Sequence, residues 1–362
     1  MTAIKNVLVT GYDGYIGTPL VAHLLARGYE VTGLDTGYYD TCWFGTPHQI
    51  PRVLRVDCRD VTPENLAGFD AVIHLAALSN DPLGQLSEDL TLGINYRASV
   101  RLAALAKTAG VRRFLYASSC SLYGKSDTAW VDERSPMVPI TAYAKSKVLV
   151  EEALATLADE TFCPVILRCA TVFGVSPKLR LDLVVNNLAA WGIATGKIRL
   201  HSDGTPWRPL IHVEDLVAAY ETLLRLPCAP GDVPIMNVGF NAHNYQVRTI
   251  AEQVAAALPG TEVVCADTPD RDSRSYRVRF DLFASRTGLA PRWSLETGIR
   301  QLCEAYRAEG ITADDLSGRR YIRLNQIRHL LQRGWLDATL RWQRPDAATT
   351  QESTASVGSV QP

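Results

Sequence analysis

Along the first half of the chain, short apolar runs alternate with longer amphipathic stretches. The runs NVLVT (6–10), EVTGLD (30–35), RVLRV (52–56), AVIHLAA (71–77), RFLYAS (113–118) and PVILRC (164–169) have the length and branched-residue content of strands. Between several of them, apolar positions space out as on one face of a helix. One such stretch runs from about Gly14 to Ala26 and stops at Gly28, a residue suited to a helix C-terminal cap. A second runs from about Asp89 to Ala109 and stops at Gly110, and a third from about Ala142 to Ala158. Strands alternating with helices predict a parallel sheet covered on both faces.

The pattern changes after about residue 175. Helical and strand signals still mix, but tryptophan, proline and arginine cluster, as in DGTPWRPLIHVEDL (203–216) and DRDSRSYRVRF (270–280). The expectation is a first domain over 1–175, with later contributions from about 208–240, and a smaller, partly interleaved lobe over 176–346. From Ala347 the chain is polar, small and nearly uncharged, which predicts a disordered tail over 347–362.

Composition narrows the field. With 362 residues, 47% of them hydrophobic, the chain can bury a sizeable core. A formal net charge of −1 argues against nucleic acid or an anionic membrane as main partner, since both favour a basic surplus. No apolar run approaches the roughly 20 residues needed to span a bilayer. The start, MTAIKNVLVTG, lacks the features of a signal peptide, so a cytoplasmic protein is expected. The eight cysteines form no CxxC pair and read as reduced, mostly buried thiols, neither disulfides nor metal ligands.

The first strand runs straight into TGYDGYIG (10–17), with glycines at 11, 14 and 17. A strand that turns into a helix through glycines leaves free N–H groups pointing at an approaching anion, with no Cβ to hold a pyrophosphate away. Asp35 ends the second strand, where an acid accepts hydrogen bonds from both ribose hydroxyls of NAD and repels the 2′-phosphate of NADP. NAD is the expected cofactor. Asp57, in VDCRD, is either an adenine contact or a solvated loop acid. The aromatic loop GYYDTCWFG (37–45) reads better as packing on the second lobe than as a cover for the cofactor.

Tyr143 and Lys147, in YAKSK, stand four apart on a predicted helix, which puts both side chains on one face. A nearby ammonium favours the phenolate and lowers a tyrosine pKa that is near 10 in water. Such a phenolate can take a proton from a sugar hydroxyl as hydride leaves the same carbon.

The whole set resembles the extended short-chain dehydrogenase/reductase family, in its NAD-dependent nucleotide-sugar epimerase/dehydratase branch. The matching pieces are TGYDGYIG, Asp35, HLAAL (74–78), Asn95, SSCSLYG (118–124), YAKSK (143–147) and RPLIHVEDL (208–216), in the family's order. The resemblance implies a Rossmann-type doubly wound parallel sheet with a smaller, partly interleaved α/β substrate-binding lobe. It makes Tyr143 the general base and acid, Lys147 the residue that holds the ribose and tunes the tyrosine, and Ser119 a hydrogen-bond partner of the reacting oxygen. It assigns NAD contacts to Gly11, Tyr15, Ile16 and Gly17, to Asp35, Asp57 and Cys58, and to Leu75, Ala76, Ala77 and Asn95. Asn95 has an alternative role in tying strands together, and His74 reads as a packed strand residue.

For substrate, the resemblance implies a nucleotide-diphosphate sugar met by Ser79, Ser119, Cys120 and Ser121. Asn187 and Arg208 match positions that hold the diphosphate, with Arg271 and Arg274 as further candidates; a guanidinium fork suits phosphate oxygens. Departures from the family pattern narrow the chemistry. Dehydratases of this branch carry an Asp–Glu pair where this chain has Cys120 and Ser121, and decarboxylating relatives carry glutamate at the Ser121 position. The 3,5-epimerising relatives place cysteine at that same position, one residue later than Cys120. What remains is transient oxidation at one sugar carbon, C4 foremost, and hydride return. A 4-keto-deoxysugar reductase is the alternative, and a dehydratase, a decarboxylase or a non-catalytic NAD-binding relative stands further back. Relatives pair the helices matching 89–109 and 142–158, so a homodimer is expected, although the apolar faces RLAALAK and VLVEEALATLA serve equally to pack on the sheet.

Overall fold

The computed structural model describes residues 4–47, 50, 52–79, 87–125, 130–200, 202–265 and 275–343. Arg271, Arg274 and the tail from Ala347 lie outside the described residues. In chain order the first half comprises β1 (Asn6–Thr10), α1 (Gly17–Ala26), β2 (Glu30–Leu34), β3 (Val53–Leu54), β4 (Ala71–His74), α2 (Glu88–Thr91), a π-helical stretch (Leu92–Arg97), α3 (Ala98–Thr108), β5 (Arg113–Ser119), α4 (Ala142–Leu157) and β6 (Cys163–Cys169). There follow β7 (Thr171–Phe173), α5 (Val184–Thr195), β8 (Lys197–Leu200), β9 (Trp207–His212), α6 (Val213–Leu224), β10 (Ile235–Val238) and β11 (Asn244–Gln246). The last described elements are α7 (Val247–Ala257), β12 (Glu262–Cys265), α8 (Asp281–Thr287), α9 (Leu295–Glu309) and α10 (Arg323–Gln332).

Seven strands form one parallel sheet in the order β3-β2-β1-β4-β5-β6-β10. Successive residues of β1 serve opposite faces, as the strand period of two demands. Val7 and Val9 pack with Leu20 and Leu24 of α1 and with Leu216 and Tyr220 of α6. Leu8 packs on the other face with Leu102 and Ala106 of α3 and with Val150 and Leu154 of α4. The leucine- and alanine-rich faces of α3 and α4 are therefore spent in large part on the sheet. This is a Rossmann-type α/β fold, wound on both faces. The expected strand over 52–56 shortens to two residues. The first helix starts at Gly17, because Gly11–Gly14 close a turn (Gly14 N–H to Gly11 O, 3.1 Å).

A second core lies among α5, α7 and α9, where Leu188, Ile250, Val254, Ile299, Leu302 and Tyr306 surround Ile198 and Leu200 of β8. Its small sheets are β11-β9-β7 and β12-β8. Between these pieces α6 and β10 return to the large sheet, so the two cores are interleaved in the chain. The loop after β2 serves both. Phe44 packs in the second core against Tyr306 and Tyr321, whereas Tyr38 and Tyr39 face the cleft described below.

One expectation is corrected here. Cys163 and Cys228 form a disulfide, with Cα atoms 6.7 Å apart. They are distant in sequence, so no local motif marks them. The parallel pairing of β6 with β10 brings the start of one strand beside the segment leading into the other. Cys42, Cys58, Cys120, Cys169 and Cys303 are free, buried thiols, as expected. Among the described residues there is no cluster of metal-ligating side chains, and no helix is long and apolar enough to cross a membrane.

Candidate active site

A cleft of about 930 Å³, partly open to solvent, lies where β1, β2 and β4 end at their C-terminal edge. Open α/β sheets bind ligands at this edge. Its floor is the glycine turn: Gly11, Gly14, Tyr15, Ile16 and Gly17 all line it. Gly11 has φ +71°, and a Cβ there would stand 2.8 Å from the Ala76 nitrogen. A Cβ on Gly17 would run into the backbone of Gly11 and Tyr12. Only glycine lets the first turn of α1, with its N–H groups lacking helical acceptors, come this close to the sheet. Tyr15 anchors the turn to the second lobe: its hydroxyl donates to Gly174 O (2.7 Å), and Ser176 Oγ donates to Tyr15 O (2.7 Å).

The opposite walls hold Asp35, Asp57, Cys58, Leu75, Ala76, Ala77, Leu78 and Ser79. Asp35 accepts the Gly37 N–H through Oδ1 (2.8 Å), and burial pushes its carboxyl up from the usual range. Its second oxygen has no protein donor among the described hydrogen bonds, which suits an acceptor for ribose hydroxyls. Asp57 is not a solvated loop acid. Burial opposes its charge, but hydrogen bonds from the Arg59 backbone and guanidinium outweigh this and hold its carboxyl low. Asn95 is buried and outside the cleft wall. It clamps Leu78 through both N–H and C=O, and donates to Ser146 Oγ on α4 (3.3 Å). Its side chain ties the segment after β4 to α4, and not one strand to another. His74 is packed in β4 between Thr10 Oγ1 and Ser99 Oγ.

Ser119 ends β5, and Tyr143 and Lys147 occupy the first turns of α4, which Thr141 caps by accepting the Ala144 N–H (3.1 Å). The three are not cleft-wall residues. Tyr143 lies close enough to the wall residue Arg180 for its charge to act on that guanidinium. Lys147 is buried, donates to Ala117 O (2.6 Å) and lies 5.4 Å from the centroid of the Tyr143 ring. Burial lowers its pKa to about 8, so it remains mostly an ammonium at neutral pH. Ser119 Oγ accepts the Ser121 N–H (3.1 Å), and the buried Ser121 hydroxyl has no hydrogen-bond partner among the described residues. Cys120 is turned into the core, where its thiol donates to Arg168 O (3.1 Å) and burial pushes its pKa well above the usual value.

Of the remaining described candidates, Asn187 and Arg208 belong to the second lobe and Ser79 to the cleft wall. Asn187 Nδ2 is engaged by Leu181 O (2.7 Å), and Arg208 Nη1 donates to Trp207 O (2.9 Å). Neither lines the cleft. Ser79 accepts from Arg180 Nη1 (3.1 Å). Sequence reasoning missed Arg180 and Arg323, which line the cleft, and the Lys178–Asp13 pair (3.0 Å) beneath it. Burial pushes the Asp13 carboxyl up and the Lys178 amine down, against their mutual attraction. Asp13 sits inside the glycine turn and was a visible signal. The three cations come from distant segments and carry none.

The glycine cradle, the acid at the second strand's end and the narrow apolar wall of Leu75–Ala77 fit a dinucleotide. The NAD dependent epimerase/dehydratase family matches this chain over residues 7–239. The chain belongs to that family. It is an enzyme, and its cofactor is NAD. Among similar proteins, UDP-arabinose 4-epimerase 1 of Arabidopsis thaliana is 28% identical, with 87% of this chain and 83% of the relative covered. Two solved structures are each 26% identical with a TM-score of 0.73 and cover 84% of this chain. They are TunA, an NAD dependent NDP-hexosamine 5,6-dehydratase of tunicamycin biosynthesis (98% of its chain), and MoeE5 in complex with UDP-glucuronic acid and NAD (99%).

Proposed function

We propose that this enzyme is an epimerase of a nucleotide-diphosphate sugar, inverting a ring carbon, C4 foremost, through a transient keto-sugar. The observation that carries this reading is the buried Lys147 ammonium beside the Tyr143 ring, on a helix that Asn95 and Ser146 tie to the rim of the NAD cleft. NAD, when bound, supplies the hydride acceptor and returns the same hydride. Tyr143, as phenolate, takes the proton from the sugar hydroxyl when the C–H bond breaks, and gives it back when hydride returns to the other face. Ser119 holds the reacting oxygen, with Ser121 beside it. Cleft wall Ser79, together with Asn187 and Arg208 of the second lobe, stands for the sugar-nucleotide side. The same proposal has the region from about 176 carry the substrate, and has α3 and α4 lend their half-exposed outer residues to a homodimer in the cytoplasm.

The neighbours include a dehydratase, but Cys120 and Ser121 offer no carboxylic acid to expel a hydroxyl, and the Cys120 thiol faces the core. A reductase shares the Tyr–Lys pair and differs only in consuming cofactor. The deciding experiment incubates the NAD-loaded protein with UDP-, TDP-, GDP-, CDP- and ADP-sugars and follows the sugar by NMR and the nicotinamide band by absorbance. The expected result is inversion of one sugar with no net reduced cofactor. Stoichiometric formation of NADH with a keto-sugar, the reductase reaction run in reverse, favours the reductase, and loss of water overturns both readings.

A further inference from the structure

The segment from Arg323 to Gln343 lies beyond the family match, which ends at residue 239, and it docks on the rim of the NAD cleft. Ile327 and Leu330 of α10, with Leu336 and Leu340 after it, share a core with Tyr38, Cys58, Leu78 and Ile94, four residues of the cleft wall. Hydrogen bonds fasten the edges. Trp342 Nε1 donates to Thr36 O (2.7 Å), Gln326 Nε2 donates to Tyr38 O (3.0 Å), and the Tyr38 hydroxyl donates to Leu340 O. Arg59, which clamps Asp57, also donates to Thr339 O (2.7 Å).

From this segment one cation enters the cleft. Arg323 is 3% exposed, lies 4.2 Å over the Tyr39 ring, and donates from Nη2 to Lys178 O (2.8 Å). It lines the same cavity as the glycine turn. Its Nη1 has no hydrogen-bond partner, and no carboxylate lies within ion-pair distance of it among the described residues. Its neighbours differ: Arg180 is held bidentately by Asp182, and Lys178 by Asp13. A guanidinium stays protonated in proteins; the carboxylate that acts on this buried one, Asp182, is ion-paired with Arg180, so Nη1 is left to donate to a further anion.

We propose that residues 323–343 form a clasp on the dinucleotide cleft, and that Arg323 donates through Nη1 to the pyrophosphate of NAD. This holds whichever sugar the enzyme acts on. A nucleotide sugar also carries a diphosphate, but the shared wall with Gly11 and Gly17 favours that of the dinucleotide.

The test uses the full chain freed of cofactor, with calorimetric titration of NAD, ADP, adenosine and UDP against wild type and R323M. Loss of one charge-assisted hydrogen bond should weaken NAD and ADP roughly 10- to 100-fold and leave adenosine within about twofold. Because a buried charge with no ion-pair partner of its own is removed, the free variant should melt at or above the wild-type temperature while its NAD-induced shift shrinks. Equal weakening of adenosine, or unchanged NAD affinity, overturns the proposal. Loss of UDP binding with NAD binding intact overturns it in favour of the substrate's diphosphate. If R323M does not fold, R323K decides: weaker ADP with unchanged adenosine supports the assignment, and unchanged ADP overturns it. W342A should release bound NAD faster; an unchanged release rate removes the clasp from the proposal.

Discussion

The Lys147 ammonium lies 5.4 Å from the centre of the Tyr143 ring, one helical turn away, and is itself buried. Burial disfavours its charge, which is why its pKa falls from 10.5 to about 8. The folded state therefore bears a cost at neutral pH that the unfolded chain does not. The cost is full below pH 8 and vanishes as pH rises past 10.5. That fall is worth about 3 kcal/mol, and the hydrogen bond to Ala117 O returns about 1. Lys147→Met should then raise the unfolding free energy of the cofactor-free protein by about 2 kcal/mol, read from urea melts, while cutting turnover roughly 10²- to 10⁴-fold. A variant that loses stability along with turnover would make Lys147 a structural residue.

Asp35 lines the cleft with Gly11 and Thr36; its Oδ1 takes the Gly37 amide, and its other oxygen has no protein donor among the described hydrogen bonds. Asp35→Ser should weaken NAD about tenfold, the equivalent of one charge-assisted hydrogen bond, and weaken NADP less or not at all, since the repulsion of its 2′-phosphate goes too. Titration calorimetry with both cofactors reads the ratio. Equal losses for the two would place the selectivity elsewhere.

Cys120 is adjacent to Ser119 in sequence, but the turn after β5 sends its thiol inward to Arg168 O. Cys120→Ser keeps a donor of nearly the same size, so kcat should stay within about threefold of wild type. A drop of two orders of magnitude, with an unchanged melting temperature, would give the thiol a part in the chemistry.

What the chain disclosed in advance follows from the range of the signals. β1, the glycine turn and Asp35 are local: each is written in a few consecutive residues, and the structure assembles them as read. Arg180 and Arg323 reach the same cleft from segments far along the chain, and no spacing links them to Gly11. Arg323 sits on a helix whose apolar positions announce burial but not against what. The Cys163–Cys228 bond is of the same kind, since it depends on β10 returning beside β6 after an excursion through the second lobe. Asn95 shows a different limit. Its position was legible, but only the structure shows its amide spent on Leu78 and Ser146.

The last prediction concerns acid. His74 is 1% exposed, between Thr10 Oγ1 (2.6 Å) and Ser99 Oγ (2.7 Å), and burial, aided by the Lys147 charge, lowers its pKa to about 3. The unfolded chain takes up this proton near pH 6.5, and the folded chain only near 3. Stability held above 6.5 is thus lost steadily as pH falls toward 3, at about 1.4 kcal/mol per pH unit for one histidine. His212, stacked on Trp293 and lowered by burial to about 4, adds a second such slope. His74→Gln can still bond both hydroxyl partners but cannot titrate. The variant should be somewhat less stable at pH 7, and its loss of unfolding free energy between pH 6 and 4.5 should be shallower by about 1.4 kcal/mol per unit. Urea melts across that range measure the slope directly. Ser99 Oγ donates to Asn95 O (2.7 Å) and so accepts from His74, which leaves Thr10 as the donor to the other ring nitrogen; an unaltered slope would mean that His74 is already protonated in the folded protein, with Thr10 turned to accept as well.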